Sequence, residues 1–421
     1  MSGTARGHIA LGCGLSGHHD ASLACAHVLE QIEGQLDGRR GAAAFVFFSG
    51  FKPDAAAKIG ETLARGLGTD VLAGMSAAGV VGGRAVFERR AGVAALVLAG
   101  DGIRGTVFGV DADAMPTSQG AAYDADLAHV VGIGDEHRAS FVFVDAGSMP
   151  TGELLPALGR AAGGRPILGG TAMRPESPDA ETILIHGGRV QRGGMVGISL
   201  AGAVEVRTLV AQGCKAVGHP VVVTASRNNL VMEMAGRPAI GVLRELAQKF
   251  APGDRPLLAG GLYLGVAVDE YRERFGRGDF VVSRIIGGDE QAGYIALENS
   301  IPTGRTVQLH LRDPTVARAD LDLLLDVEKL HDRPAGVLLL TDLARGRTMF
   351  DEQWSDAVGI ARAFDQLPAG EAVARAGYEI SSHEGPVPVA GAMTTGQIGP
   401  IGGTTRLLGL TACAALFREM P

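Results

Sequence analysis

Lysine is scarce in this chain: only five of its 38 basic residues are lysine, the other 33 being arginine. The basic residues form no block and the net charge is −8, so nothing recruits nucleic acid electrostatically. The arginine bias reads as the codon usage of a GC-rich genome rather than as a phosphate-binding surface. Cysteine is equally sparse. The four cysteines (Cys13, Cys25, Cys214, Cys413) lie far apart with no C-x-x-C, which disfavours a disulfide scaffold and a structural zinc site and fits a reducing cytoplasm. No run of about 18 apolar residues exists, so no helical membrane insertion is expected. The opening 1-MSGTARGHIALGCG carries one arginine and no continuous apolar segment, unlike a signal peptide.

What the chain has in excess is glycine, 63 of 421 residues, roughly twice the usual share of about 7%. These glycines punctuate apolar runs such as 44-AFVFFSG-50 instead of forming tracts, and 46% of the residues are hydrophobic. The composition describes a folded, turn-rich protein, and the length exceeds one ordinary core.

A similar pattern recurs three times. The first copy is strand 44-AFVFFSG-50, helix 54-DAAAKIGETLARGL-67, then 71-VLAGMSAAGVVGG-83 and 92-GVAALVLAG-100. The second is 140-SFVFVDAG-147, helix 151-TGELLPALGRAAG-163, 166-PILGGTA-172 and 195-MVGISLAG-202. The third is 335-AGVLLLTDLARG-346, helix 352-EQWSDAVGIARAF-364, 387-VPVAGAMTTGQIGPIGG-403 and 405-TRLLGLTACAALF-417. Apolar residues at three- and four-residue spacing mark each helix. Between copies two and three lie helices 238–250 and 314–330 and several strands suited to a largely antiparallel sheet. The expected fold is α/β (α+β): two tightly packed domains with mixed sheets flanked by helices, built from recurring β-α-β-β units. The boundary is placed between 203 and 224, where no linker-like tract appears.

Gly12-Cys13-Gly14-Leu15-Ser16-Gly17 spells G-x-G-x-x-G, yet no acidic residue ends the following strand to hold a ribose, and Asp37 precedes that strand. It reads as a tight turn capping a helix. Three glycine turns bearing hydroxyls carry more weight: Gly74 and Ser76, Gly170 and Thr171, and Thr394, Thr395 and Gly396. Their backbone N–H groups could converge on a carboxylate or phosphate, or simply satisfy local backbone groups. In 341-TDLARGR-347, Asp342, Arg345 and Arg347 follow a core-like strand, where an arginine fork grips a carboxylate bidentately or pairs internally with Asp342. Arg284 is a further candidate inside 280-FVVSRIIGG-288. If Arg345 joins the 394–399 turn at an anionic site, its removal weakens binding and spares stability. Cys13 and Cys25 are nucleophile candidates only beside a histidine and a carboxylate. The histidines, His18, His19, His27, His186, His219, His310 and His383 among them, show no metal-ligand spacing; one of them ligating a haem stays open.

Several segments resemble the FIST family, a small-ligand sensory domain of bacteria found also in some eukaryotic F-box proteins. The turn 71-VLAGMSAAGVVGG-83 with 87-FERRAGVAALVLAG-100 is similar to that family's "G-x-S-A-x-G" turn and following strand. The stretches 167-ILGGTA-172, 194-GMVGISLAG-202 and 212–246 match its run into the C-terminal domain. In that domain 276-GRGDFVVSRIIGGD-289, 310-HLRDPTVARADL-321 and 389-VAGAMTTGQIGPIGG-403 match three further segments. The resemblance implies a FIST N-terminal domain over 1–222 and a FIST C-terminal domain over 223–421. Relatives often carry cysteine where Thr341 stands and glutamate where Gln397 stands, so Gln397 marks altered specificity in the implied site.

The function implied is a cytoplasmic small-ligand-binding sensory protein that takes an amino-acid-like or carboxylate metabolite and signals through a separate protein. No output segment is recognisable in the sequence. The implied ligand set joins Arg345, Gln397, Thr394, Thr395, Gly396, Arg284, Ser76, Gly74, Gly170 and Thr171. A haem-binding gas or redox sensor is the alternative; an enzyme of acyl transfer or hydrolysis in a glycine-lined cleft is the next. No catalytic residue, metal or resident cofactor is assigned, and oligomeric state is not readable.

Overall fold

The computed structural model describes residues 9–36, 38–174, 182–351, 353–365 and 385–420. Asp37, Glu352 and His383 fall outside them. The chain groups into two compact units, one of 1–210, 322–407 and 412–421 and one of 211–321 and 408–411.

In the first unit, β1 (Ala10–Ser16) and α1 (Ala21–Leu36) precede three repeats. Repeat one is β2 (Ala43–Ser49), α2 (Pro53–Leu67), β3 (Leu72–Ser76), the hairpin β4 (Gly79–Gly82) and β5 (Ala85–Glu88), and β6 (Gly92–Ala99). After β7 (Ile103–Val110) and α3 (Ala121–Val130), repeat two runs β8 (His137–Val144), α4 (Thr151–Ala161), β9 (Ile167–Thr171), the hairpin β10 (Ile183–His186) and β11 (Arg189–Arg192), and β12 (Met195–Gly202). Next comes β13 (Glu205–Gln212). The second unit holds β14 (Cys214–Arg227), β15 (Leu230–Met234), β16 (Arg237–Pro238), α5 (Ala239–Gln248), β17 (Leu262–Ala267), β18 (Phe280–Gly288), β19 (Ile295–Leu297) and β20 (Thr306–Arg312). Helix α6 (Pro314–Glu328) leads into repeat three: β21 (Gly336–Asp342), α7 (Asp356–Phe364), β22 (Val389–Thr394), the hairpin β23 (Gln397–Ile401) and β24 (Thr404–Leu408), and β25 (Thr411–Arg418).

The helices form where spacing and end signals agree. Helix α2 starts with Pro53, ends at Gly68 in the left-handed region (φ 61°), and buries Ala56, Ile59, Gly60, Leu63 and Ala64 at three- and four-residue intervals. Strands β2 and β21 are buried along their whole length, as continuous apolar runs between two covered faces require.

Each repeat pairs its first and second strands in parallel across a helix and its last strand antiparallel to the first. None keeps its own hairpin. β4–β5 pairs with β22 of repeat three, β10–β11 with β3 of repeat one, and β23–β24 with β9 of repeat two. The strands between repeats pass the other way: β7 pairs with β12 and β13 with β25. β1 pairs with β6, taking the place that a strand after repeat three would fill in a closed cycle. Three six-stranded sheets result. Their inner faces share a core in which Phe45 meets Phe141 (ring centroids 4.7 Å apart), Phe47 meets Phe143 (5.4 Å) and Phe141 meets Phe417 (5.7 Å).

Register aligns the repeats residue by residue. Gly74, Gly169 and Gly391 stand opposite Val46, Val142 and Leu339 on the parallel neighbour, and a Cβ on any of the three would overlap that neighbour's carbonyl oxygen. The same position therefore excludes every other residue three times over.

The G-x-G-x-x-G match is neither a phosphate loop nor a tight turn. Its first five residues lie in strand β1, and Gly12 and Gly14 let α1 lie close, a Cβ at Gly14 coming 2.6 Å from the Val28 carbonyl oxygen. The free edge of β1 is sealed by α1: the Gln35 amide exchanges hydrogen bonds with Cys13 N and O (3.0 and 2.8 Å), and Gln31 does the same with Leu15 (3.0 Å each). Two side-chain amides one helical turn apart imitate a neighbouring strand and block edge-to-edge association.

The second unit closes the ring β14–β20–β17–β18–β19–β15 back onto β14. Its interior packs Val223, Val231, Leu264, Ile295 and Leu309 against Val242, Leu243 and Leu246 of α5.

Two predictions follow from packing and burial. Gly169→Ala should cost more than about 4 kcal/mol or abolish folding, whereas Gly134→Ala, with open space around its Cβ, should stay within about 0.5 kcal/mol, as read by urea unfolding. Burial also holds His137 and His310 down to about 4. The unfolded chain, near 6.5 at these groups, then binds protons more readily, so stability is complete above pH 6.5 and falls as pH drops toward 4. Replacing both histidines by glutamine should flatten the pH 5–7 limb of the unfolding free energy.

Candidate functional site

A parallel strand pair flanked by a helix leaves its crevice at the carboxyl ends of the strands. In repeat three that crevice is a cavity of about 120 Å³. Leu339 and Thr341 of β21 and Met393 of β22 line it, with the first turn of α7 on one side and Val81, Arg84, Val86 and Glu88 of the β4–β5 hairpin on the other. Strand β21 delivers the chain straight into the turn Leu343–Arg345, whose entry Asp342 fixes by accepting from Ala344 N (2.8 Å). Ser355 caps α7 by accepting from Val358 N (3.2 Å), which sets Asp356 as its first residue.

Arg345 and Asp356 therefore meet inside the protein, each at most 2% exposed. Arg345 donates from Nε to Oδ2 (2.9 Å) and from Nη2 to Oδ1 (2.6 Å), a two-pronged fork. Thr341 Oγ1 donates to the same Oδ2 at 2.5 Å. Phe350 lies 5.7 Å beneath the guanidinium. The sequence leaves open an Arg345 pair with Asp342; the structure gives Arg345 to Asp356, eleven residues on. Around the fork the wall also carries Arg84, which reaches Asp365 at 3.3 Å, and Glu88, whose Oε2 accepts from Arg347 N at 2.9 Å. Arg347, Asp351 and Trp354 complete the polar rim. The described wall thus balances three arginines with three carboxylates.

Of the ten candidate residues, Arg345 lies on this wall. The hydroxyl turns are brought together elsewhere, where they bond to one another and to backbone. Thr171 N donates to Gly396 O (2.9 Å), Thr394 Oγ1 donates to Gly396 O (2.9 Å) and accepts from Gln397 Nε2 (3.0 Å). Ser76 Oγ donates to Met173 O (2.7 Å) and accepts from Ile183 N (3.2 Å). Gly170 packs against Met75 and Thr394, and Gly74 against Val46, while Thr395 is exposed beside Thr171. Gln397 is fully buried and pairs in register with Gly170. Arg284 is exposed on β18 in the second unit.

The thiols are poor nucleophiles: burial raises Cys13 and pushes Cys25 up to about 12. No histidine lines the cavity among the described residues, its volume falls far short of a porphyrin, and the described residues contain no cluster of three metal-ligating side chains. The hydroxyls on the wall are engaged, Thr341 by Asp356 and Ser355 by the helix cap. Asp356, Glu88, Arg84, Asp351 and Trp354 are among the wall residues that sequence reasoning passes over. Only Ser355-Asp356, a cap followed by an acid at a helix start, leaves a local trace.

Removing one partner of the fork strands a buried charge, so Arg345→Ala should cost about 3–5 kcal/mol, reversing the sequence-based expectation that stability is spared. Thr341→Val should cost about 1.5–3 kcal/mol. Arg345→Met combined with Asp356→Leu, which leaves no charge behind, should unfold close to the parent in urea.

A FIST N domain model matches residues 42–237 and a FIST C domain model residues 239–400. The uncharacterised protein Rv0628c of Mycobacterium tuberculosis is 31% identical over 414 residues, covering 97% of this chain and 99% of that protein. The uncharacterised protein Mb0898c of Mycobacterium bovis is 37% identical over 241 residues, 56% of each chain, so the match spans about half the length of that relative. Strand β1 and helix α1 precede the region the family models match.

Proposed function

Since the chain belongs to the FIST family, we propose that it is a small-ligand-binding sensory protein whose ligand chamber is the cavity at the carboxyl end of β21. The ligand is an amino-acid-like or carboxylate metabolite, and the signal leaves through a separate protein in the cytoplasm. The observation that carries this reading is the charge-balanced wall. Such a lining favours a ligand that is itself balanced, or one whose single charge finds a partner without disturbing the rest. The volume of about 120 Å³ is small beside the roughly 300–1,000 Å³ of drug-sized pockets. Few heavy atoms fit, which argues against a nucleotide. Repeat one supplies the hairpin wall and repeat three the rest, so an occupant touches two repeats at once.

A ligand at one hundred times its Kd should stabilise the protein by about 2.7 kcal/mol, visible as a rise in Tm within a panel of amino acids and small carboxylic acids. Val86 is half-buried on the hairpin wall. Val86→Trp should fill the chamber and weaken the hit at least about tenfold by calorimetry, a loss of about 1.4 kcal/mol. Unchanged affinity would place the ligand elsewhere.

A further inference from the structure

We infer that the ligand enters by parting the Arg345–Asp356 fork, and that helix α7 is displaced when it does. The inference rests on the chamber assigned above. Arg345 belongs to the turn after β21 and Asp356 to the first turn of α7, so the two prongs of 2.9 and 2.6 Å, with the Thr341 hydroxyl bond at 2.5 Å, tie the end of the sheet to the helix. Both groups back the cavity yet are almost closed to solvent. A ligand reaches their charges only by separating them.

That requirement selects the ligand. A lone carboxylate that takes Arg345 leaves Asp356 buried and unpaired, and a lone ammonium that takes Asp356 strands Arg345; either outcome is heavily penalised. A molecule carrying both groups replaces one buried pair by two. Its carboxylate meets the guanidinium and its ammonium meets Asp356, beside the Thr341 hydroxyl that already donates to that carboxylate. The fork therefore acts as an internal stand-in for an amino acid.

Helix α7 is short and is anchored by few large side chains. Its nine residues bury mainly small side chains, Ala357, Gly359 and Ala361, with Ile360 and Phe364 as the larger anchors. At its far end, Asp365 is held by Arg84 (3.3 Å), Arg333 (3.6 Å) and Val387 N (2.7 Å), and Arg333 Nε also donates to Phe364 O (3.1 Å). Trp354, the one tryptophan of the chain, lies on the cavity wall, with Arg362 of α7 stacked 5.8 Å from its ring. It reports both events.

The test titrates the full chain with the twenty common amino acids, following Trp354 emission and hydrogen exchange of 356–364. The decarboxylated amine and the deaminated acid of the tightest binder serve as controls. The amino acid should shift emission saturably and speed exchange in α7, with both controls at least tenfold weaker. Asp356→Asn should reverse the preference, binding the deaminated acid more tightly than the amino acid, a switch that a purely structural pair would not produce. Arg345→Met with Asp356→Leu should lose the response. Retained affinity in that double variant, an unaltered preference in Asp356→Asn, or binding without faster exchange in α7 overturns the inference and leaves the chamber intact. Failure of every amino acid and carboxylic acid to bind the parent protein overturns the chamber itself.

Discussion

No repeat of this protein can finish its own sheet, and the exchange of hairpins follows from that constraint. A parallel strand pair joined by a helix leaves the outer edge of its second strand unpaired, and an unpaired buried edge is costly. The chain meets the demand cyclically: β4–β5 completes repeat three, β10–β11 repeat one and β23–β24 repeat two. The three repeats are thereby one cooperative body although the second unit interrupts them in sequence. β1 closes the cycle from the opposite end of the chain, and the Gln31 and Gln35 amides finish its outer edge.

Much of the first level of this organisation is legible in the sequence. The three helices of the repeats, the apolar strands between them and the antiparallel character of the intervening segment are written as hydrophobic period and end signals. FIST membership is written as a series of turns in the right order. The hairpin exchange is not written there, because strand pairing is a non-local choice and Val80-Val81 would pair equally well within its own repeat by pattern alone. The hydroxyl turns show the same limit. Ser76 and Thr171 occupy equivalent register positions, but the matching position in repeat three is Met393, with Thr394 one residue later. A one-residue offset in a strand sends the side chain to the other face, so turns that look alike in sequence are not alike in space.

Arg345 illustrates how a correct choice of residue can carry the wrong chemistry. A strand followed by T-D-L-A-R-G-R does mark the carboxyl end of a core strand, and the cavity is there. Its electrostatics depend on Asp356, whose sequence signature is only that of an acid in the first turn of a helix. The pair forms because Ser355 fixes the start of α7 and Asp342 fixes the turn that carries Arg345. Those two caps set the distance.

Register also shows what makes the repeat-three cavity polar. Thr341 corresponds to Phe48 in repeat one and Val144 in repeat two, and Arg345, four residues beyond Thr341, to Lys52 and Ser148. Where repeat three has Thr341 bonded to Asp356, the first two repeats have apolar residues buried in their cores, Phe48 and Val144. The seams between helix and borrowed hairpin diverge in the same way. Gly159 of α4 lets Thr405 of β24 press against the helix, and Gly60 of α2 admits Ile185 and the Gly188 turn of the β10–β11 hairpin. Helix α7 instead faces Arg84, Val86 and Glu88 across open space. Repeat one also has an opening, between 57–70 and the 187–190 turn of its borrowed hairpin, so repeat three is set apart by the buried, paired charges of its lining, which the single offset from an apolar strand end to Thr341 and an acid at the start of α7 put there.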